Sequence, residues 1–121
     1  MASIVIIDDD AAFRPMLAQM LGRLGHEVFA AENGHAGLKF VRARVPDLVI
    51  TDMVMPEKEG VETIIELRRS YPALKIIAIS GGGRINSADY LSLATKFGVA
   101  GTLAKPFGRD ELKAVLEAVL A

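Results

Sequence analysis

At 121 residues with 51% hydrophobic side chains, the chain can bury one full core and is near the usual size of a single domain, so one domain over 1–121 is expected. Fourteen Lys and Arg against fifteen Asp and Glu leave a net charge of −1, which gives no global field toward nucleic acid or anionic lipid. There is no cysteine, which excludes disulfides and thiolate metal sites and agrees with a cytoplasmic protein.

The first apolar run, 4–7, is cut off by Asp8, Asp9 and Asp10, so it is too short for a signal peptide or a membrane span. It reads as a strand. The helix that follows carries Phe13, Met16, Leu17, Met20, Leu21 and Leu24 at the spacing of one buried face, with Gly25 as its carboxyl-terminal stop. Strands are expected near Glu27–Ala31, 48–51, Lys75–Ser80 and Gly101–Ala104, with helices near 35–43, Gly60–Ser70 and 88–97. The last helix places Leu112, Val115, Leu116, Val119 and Leu120 on one stripe, after Pro106 and Gly108 have ended the preceding strand, and runs to the chain end.

Alternation of this kind marks βα units on a mostly parallel sheet. Residues 4–7, 48–50 and 76–79 are continuously apolar rather than alternating, as strands covered by helices on both faces are, so they should form the centre of the sheet. In such a sheet all the strand carboxyl ends meet at one edge, where ligands bind at the topological switch point. That edge would gather Asp8 and Asp9, Asp52, Ser80 and Lys105.

Clustered carboxylates repel unless a cation offsets them, and hard oxygen ligands of this kind favour magnesium, which keeps room for waters and a phosphate oxygen. Asp8, Asp9 and Asp52 would make that site. A carboxylate beside it can attack a phosphoryl group to give an acyl phosphate, with Asp52 as nucleophile and Lys105 as the cation that neutralises the equatorial oxygens. Ser80 would donate its hydroxyl to a phosphate oxygen present only in the modified state. Taken singly, an aspartate run before a helix is more often a solvated turn with a cap, Ser80 a turn serine, and Lys105 an exposed lysine at a strand end. Their joint placement at four strand ends is what favours the chemistry.

The motifs I-V-I-I-D-D-D at 4–10, D-M-V-M-P at 52–56 with Gly60 following, I-S-G at 79–81 and K-P-F at 105–107 resemble the receiver domain of bacterial two-component response regulators, the CheY-like family. The resemblance runs from residue 4 to residue 107. It implies a flavodoxin-like fold of five parallel strands in the order 2-1-3-4-5 with five helices, an order for which CheY is itself the standard example. It also implies Asp52 as phosphoacceptor, Asp9 as direct magnesium (or manganese) ligand, Asp8 as a ligand through water, and the backbone carbonyl of Val54 as a third protein contact. Lys105 and Ser80 would hold the phosphoryl group. The donor would be a phosphohistidine on a sensor histidine kinase or a histidine phosphotransfer protein. The recipient of the signal would be a downstream protein target or an output domain beyond this chain. Such a domain is a signalling phosphoacceptor that catalyses its own phosphorylation and dephosphorylation rather than an enzyme with a separate substrate.

Two departures from the family pattern bear on the switch. Thr102 stands where receivers often carry Tyr or Phe three residues before the lysine, and Gly81, Gly82 and Gly83 lengthen the loop after Ser80. A loop reordering at 81–86 in place of a ring movement is the expectation that follows. The docking face implied by the family is made by the helix over 88–97, the fifth strand and the last helix, with Tyr90, Thr102 and Lys113. His26 and His35 lie in or beside turns and read as surface residues, and Met16, Met20, Met53 and Met55 read as packing.

Other classes fit less well. A metal-dependent phosphohydrolase of the haloacid dehalogenase kind would need a second Asp two residues after Asp52, where Val54 stands, so it lacks its general acid. A pseudo-receiver that only docks partners would have lost the acidic pair, the acceptor or the lysine, and all are present. No G-x-G-x-x-G or G-K-[ST] turn marks a nucleotide site.

Overall fold

A computed structural model describes residues 2–53, 60–80, 92 and 96–121. Its elements in chain order are β1 (Ser3–Ile7), α1 (Phe13–Arg23), β2 (Glu27–Ala31), α2 (Gly34–Ala43), β3 (Leu48–Asp52), α3 (Gly60–Ser70), β4 (Lys75–Ser80), β5 (Gly101–Ala104) and α4 (Arg109–Leu120). The five strands are all parallel, in the order β2-β1-β3-β4-β5. The helix expected over 88–97 lies largely outside the described residues, as does Tyr90.

The continuously apolar runs become the three central strands because each carries two sets of buried side chains. On β1, Val5 and Ile7 join Val49, Ile64, Leu67 and Ile76 in one core. Ile4 and Ile6 join Leu17, Leu21, Ile50, Ile77 and Leu112 in the other. Alternate residues of a strand face opposite sides, so a strand sandwiched between helix layers is apolar along most of its length. β2 and β5, at the edges, are only partly buried.

The helices end where the local chemistry stops them. Gly25 adopts φ +93, a left-handed conformation that glycine takes without a Cβ penalty. Its N–H donates to the Gly22 carbonyl at 3.0 Å while that of His26 reaches the Leu21 carbonyl at 3.2 Å, the paired bonds of a Schellman cap. At the start of α2 the Asn33 side chain accepts from the Ala36 N–H at 2.8 Å. Glu111 of α4 accepts from the Gly108 N–H at 3.2 Å, securing the turn that follows Lys105.

The expectations on packing and exposure divide. Met53 is fully buried, as a packing residue should be, and Met55 lies outside the described residues. Met16 is 48% exposed and is no part of the core. The buried face of α1 centres on Leu17 and Leu21, and at 100° per residue Met16 falls more than a quarter-turn away from that centre, whereas Phe13, Met20 and Leu24 stay at its flank. His35 is exposed, but His26 is half-buried, its Nδ1 accepting the Ala2 N–H at 3.1 Å and tying the chain's start to the turn before β2.

Gly37 of α2 sits against the last residue of β1, where a Cβ would collide with the Cδ1 and Cγ1 of fully buried Ile7. Gly37→Ala should gain up to about 1 kcal/mol of helix propensity and lose about 1 to 3 kcal/mol to overpacking. A net loss on the order of 1 to 2 kcal/mol in urea unfolding is therefore expected, together with shifted amide resonances at Asp8, the residue next to Ile7. A variant as stable as the wild type would show that Ile7 moves aside freely.

Candidate functional site

The order reversal lies between β1 and β3, and it is at the carboxyl ends of these two neighbours that Asp8 and Asp52 stand. Backbone bonds continue the ladders into the site. The Asp8 N–H donates to the Ala31 carbonyl at 3.1 Å, and the Met53 N–H to that of Ile79 at 2.8 Å. Both acidic residues therefore leave the sheet from rigid backbone. Asp8 is completely buried and Asp52 is 7% exposed, while Asp9 is exposed.

Each of Asp8, Asp9 and Asp52 places a carboxylate oxygen so that the three lie within 4.8 Å of one another. An all-carboxylate set of this compactness is the hard, anionic donor group that a small divalent cation requires. The carboxylates have a protein cation as well. Lys105, from the segment after β5, donates from Nζ to Asp8 Oδ2 at 3.0 Å and to Asp52 Oδ2 at 3.4 Å, with its side chain 15% exposed. Burial by itself lowers the lysine, but the hydrogen bond to Asp8 and the charges of Asp52 and Asp8 outweigh it, so its pKa is pushed above the ordinary 10.5. Lys105 is thus a cation throughout the neutral range.

The three aspartates of the run have separate tasks. Asp8 Oδ1 accepts the Asp10 N–H at 2.9 Å, folding the run back on itself. Asp10 takes the capping role: its Oδ1 accepts from the N–H groups of Ala12 and Phe13 at 2.9 and 3.0 Å, and these bonds hold its carboxyl below the usual value, chiefly through the Phe13 N–H. The capped turn expected of an aspartate run is thus made by Asp10, while Asp8 and Asp9 place their carboxylates in the cluster with Asp52.

Of the expected site residues, Asp8, Asp9, Asp52 and Lys105 come together. The backbone of Ser80 ends β4 in register with Ala104, one residue before Lys105, although its side chain lies outside the described residues. So do Val54 and the loop over 81–86. Thr102 lies mid-way along β5 opposite Ala78, and Lys113 is an exposed residue of α4.

Sequence reasoning missed two neighbours of the cluster. Arg14 carries no motif that points to the site, yet its Nη1 donates to the Asp8 carbonyl at 2.8 Å. Phe13 was read as a core residue, yet Lys105 Nζ lies 4.0 Å from the centroid of its ring. The ring contact depends on how α1 docks against the segment after β5, and the arginine bond on how the chain turns from β1 into α1.

The model of the response regulator receiver domain matches residues 4–117. Over 119 residues the chain is 38% identical to the DNA-binding transcriptional regulator NtrC of Azospirillum brasilense, covering 98% of this chain and 24% of that protein. It is 36% identical over 120 residues to the KDP operon transcriptional regulatory protein KdpE of Escherichia coli strain K12, covering 99% of this chain and 52% of that one. The crystal structure of a response regulator receiver domain protein from Clostridium thermocellum superposes with a TM-score of 0.87 at 30% identity, over 99% of this chain and 95% of that one. The chain belongs to the response regulator receiver domain family, and its five-stranded CheY-like sheet is the fold expected of it. It spans about a quarter to a half of the length of these curated relatives. No helix among the described residues is long and apolar enough to cross a membrane.

Proposed function

We propose that this receiver domain takes a phosphoryl group from a phosphohistidine onto Asp52, in a magnesium-dependent reaction, and thereby changes its contacts with a protein target or an attached output domain. The observation that carries this reading is the convergence of Asp8, Asp9 and Asp52 within 4.8 Å at the sheet's switch point, with Lys105 Nζ bridging two of them.

In the forward step an Asp52 carboxylate oxygen attacks phosphorus, the nitrogen–phosphorus bond breaks, and its electron pair returns to the donor imidazole, which takes up a proton. An acyl phosphate on Asp52 results. Its decay is the attack of water on phosphorus, releasing inorganic phosphate and restoring the carboxylate. Asp8, Asp9 and Asp52, with the Val54 carbonyl that the family resemblance implies, would hold a magnesium or manganese ion, which would neutralise the phosphoryl oxygens. Lys105 supplies a second positive charge, already poised 3.4 Å from Asp52. The burial of Asp52 shields the acyl phosphate from bulk water, and the Ser80 hydroxyl donates to a phosphoryl oxygen once it is present.

The domain thus works as a signalling phosphoacceptor that catalyses its own modification and its reversal, in the cytoplasm, with a sensor histidine kinase or a histidine phosphotransfer protein as donor. The names of its relatives NtrC and KdpE, both transcriptional regulators, support a transcriptional output, reached through a protein target or an attached output domain. The two states differ in population rather than in fold, because the phosphoryl group stabilises whichever conformation closes Ser80 and Lys105 on it.

Intact-mass spectrometry after incubation with a small phosphodonor tests the reading. The wild type should gain one phosphoryl mass with magnesium and none with EDTA, and Asp52→Asn should gain none in either. An Asp52→Asn protein that formed the same labile adduct would place the acceptor elsewhere. A wild type that stayed unmodified under conditions where a known receiver reacts would make this domain a docking module only.

A further inference from the structure

Lys105 is held on three sides, and only two of them are carboxylates. An ammonium has three N–H donors and no acceptor. Asp8 and Asp52 take it at 3.0 and 3.4 Å, and on a further flank the face of Phe13 lies 4.0 Å from Nζ. The face of an aromatic ring is its negative pole, so a cation over it is attracted, most strongly where water is largely excluded. Lys105, with its side chain 15% exposed, meets that condition.

The ring is itself fixed from two directions. Its backbone N–H is bound by Asp10 Oδ1 at 3.0 Å in the first turn of α1. Its edge meets Phe107 at a centroid separation of 5.6 Å and an interplanar angle of 78°, the edge-to-face arrangement that aromatic pairs prefer. Phe107 lies two residues beyond Lys105, so the aromatic pair joins the segment carrying the lysine to the helix that follows Asp8 and Asp9.

We infer that Phe13 is a positioning residue for Lys105, holding the ammonium beside Asp52 through its ring face. This rests on the phosphoacceptor reading given above. The physical need for it arises when the carboxylates are shared. Once Asp8 and Asp52 also face a divalent cation, their attraction for Nζ is divided, and a flexible four-carbon stem would let the ammonium leave for solvent. The ring contact draws on neither carboxylate and keeps the lysine at hand for a phosphoryl oxygen on Asp52.

Two substitutions separate the ring's charge distribution from its bulk. Phe13→Leu keeps an apolar side chain without a π face, and Phe13→Tyr keeps the face. Two quantities are read on each protein: the rate of phosphoryl adduct formation with a small phosphodonor and saturating magnesium, and the proton shifts of the Lys105 ε-methylene, measured without metal. In the wild type and Phe13→Tyr the ε protons should be displaced upfield by the ring current. In Phe13→Leu they should return to ordinary lysine values, and the rate should fall by about tenfold, the size of a partly desolvated cation–π contact. Equal rates in all three proteins would overturn the proposal, as would ε protons that lack the ring shift in the wild type. A rate lost equally in Phe13→Leu and Phe13→Tyr would reduce Phe13 to packing and overturn it too. If the wild type takes no phosphoryl group at all, the phosphoacceptor reading has failed, and the ε-proton shifts still decide whether the ring holds Lys105.

Discussion

Replacing Lys105 by Met is expected to cost the metal-free protein about 3 kcal/mol of stability at neutral pH, the loss typical of breaking a buried ion pair from one side. The methionine keeps the apolar stem but leaves Asp8, completely buried, with a hydrogen bond from the Asp10 N–H and no counter-charge within contact from the strand-end lysine. Asp52, at 7% exposure, loses the same cation. Magnesium should restore the balance, because it supplies positive charge to the same carboxylates without competition from Lys105. At about 100 times its dissociation constant it would add about 2.7 kcal/mol. Urea unfolding in EDTA and in magnesium measures both quantities. The pH dependence has a definite sign. Since the folded pKa of Lys105 lies above 10.5, its contribution is fully present below that value and is lost as pH rises through the raised one. The gap between wild type and variant should therefore be flat from neutral pH to about pH 10 and close above it. A variant as stable as the wild type in EDTA would mean that solvent, not Lys105, offsets the two aspartates.

The same cluster shows which parts of this protein are legible in its sequence. The central strands are, because a strand covered on both faces favours apolar residues at successive positions, and 4–7, 48–50 and 76–79 follow that pattern. The stop at Gly25 is legible because a positive φ leaves little choice of residue. The order of the strands is different. Periodicity indicates a parallel sheet, but which strand neighbours which is set by packing between elements far apart in the chain, and the order came from the family resemblance alone. Met16 illustrates the limit of a periodic reading: six apolar residues on a helix suggest a face wider than the one the sheet can cover. The site divides along the same line. Four of its charged residues follow from their positions at strand ends. Phe13 and Arg14 do not, since a ring on the first turn of a helix and an arginine beside it acquire their roles only when Lys105 and the Asp8 carbonyl arrive next to them.

The second large effect is expected from removing one negative charge at a time from the three-aspartate cluster, and Asp8 and Asp9 should answer differently. Asp9 is exposed and contributes an oxygen to the cluster without being part of the buried core. Asp9→Asn should leave the stability in EDTA within about 0.5 kcal/mol of the wild type, as surface substitutions usually do. Its magnesium affinity should nevertheless fall at least about tenfold, since even in a water-like dielectric a unit charge pair at 4 Å is worth about 1 kcal/mol, and a divalent ion doubles it. Asp8→Asn should lose magnesium affinity to a similar degree and move stability as well, because Asp8 is the nearer partner of Lys105 at 3.0 Å. That loss should be smaller than the one caused by Lys105→Met, since the buried charge disappears together with the ion pair and Lys105 keeps Asp52. Combining Asp8→Asn with Lys105→Met should therefore cost less than the sum of the two, with a coupling on the order of 1 kcal/mol. Isothermal titration with magnesium and urea unfolding in EDTA read the two axes separately. Asp9→Asn protein that binds magnesium as the wild type does would remove the metal from this cluster, whereas additive losses for Asp8 and Lys105 would mean that the 3.0 Å contact between them carries no net energy.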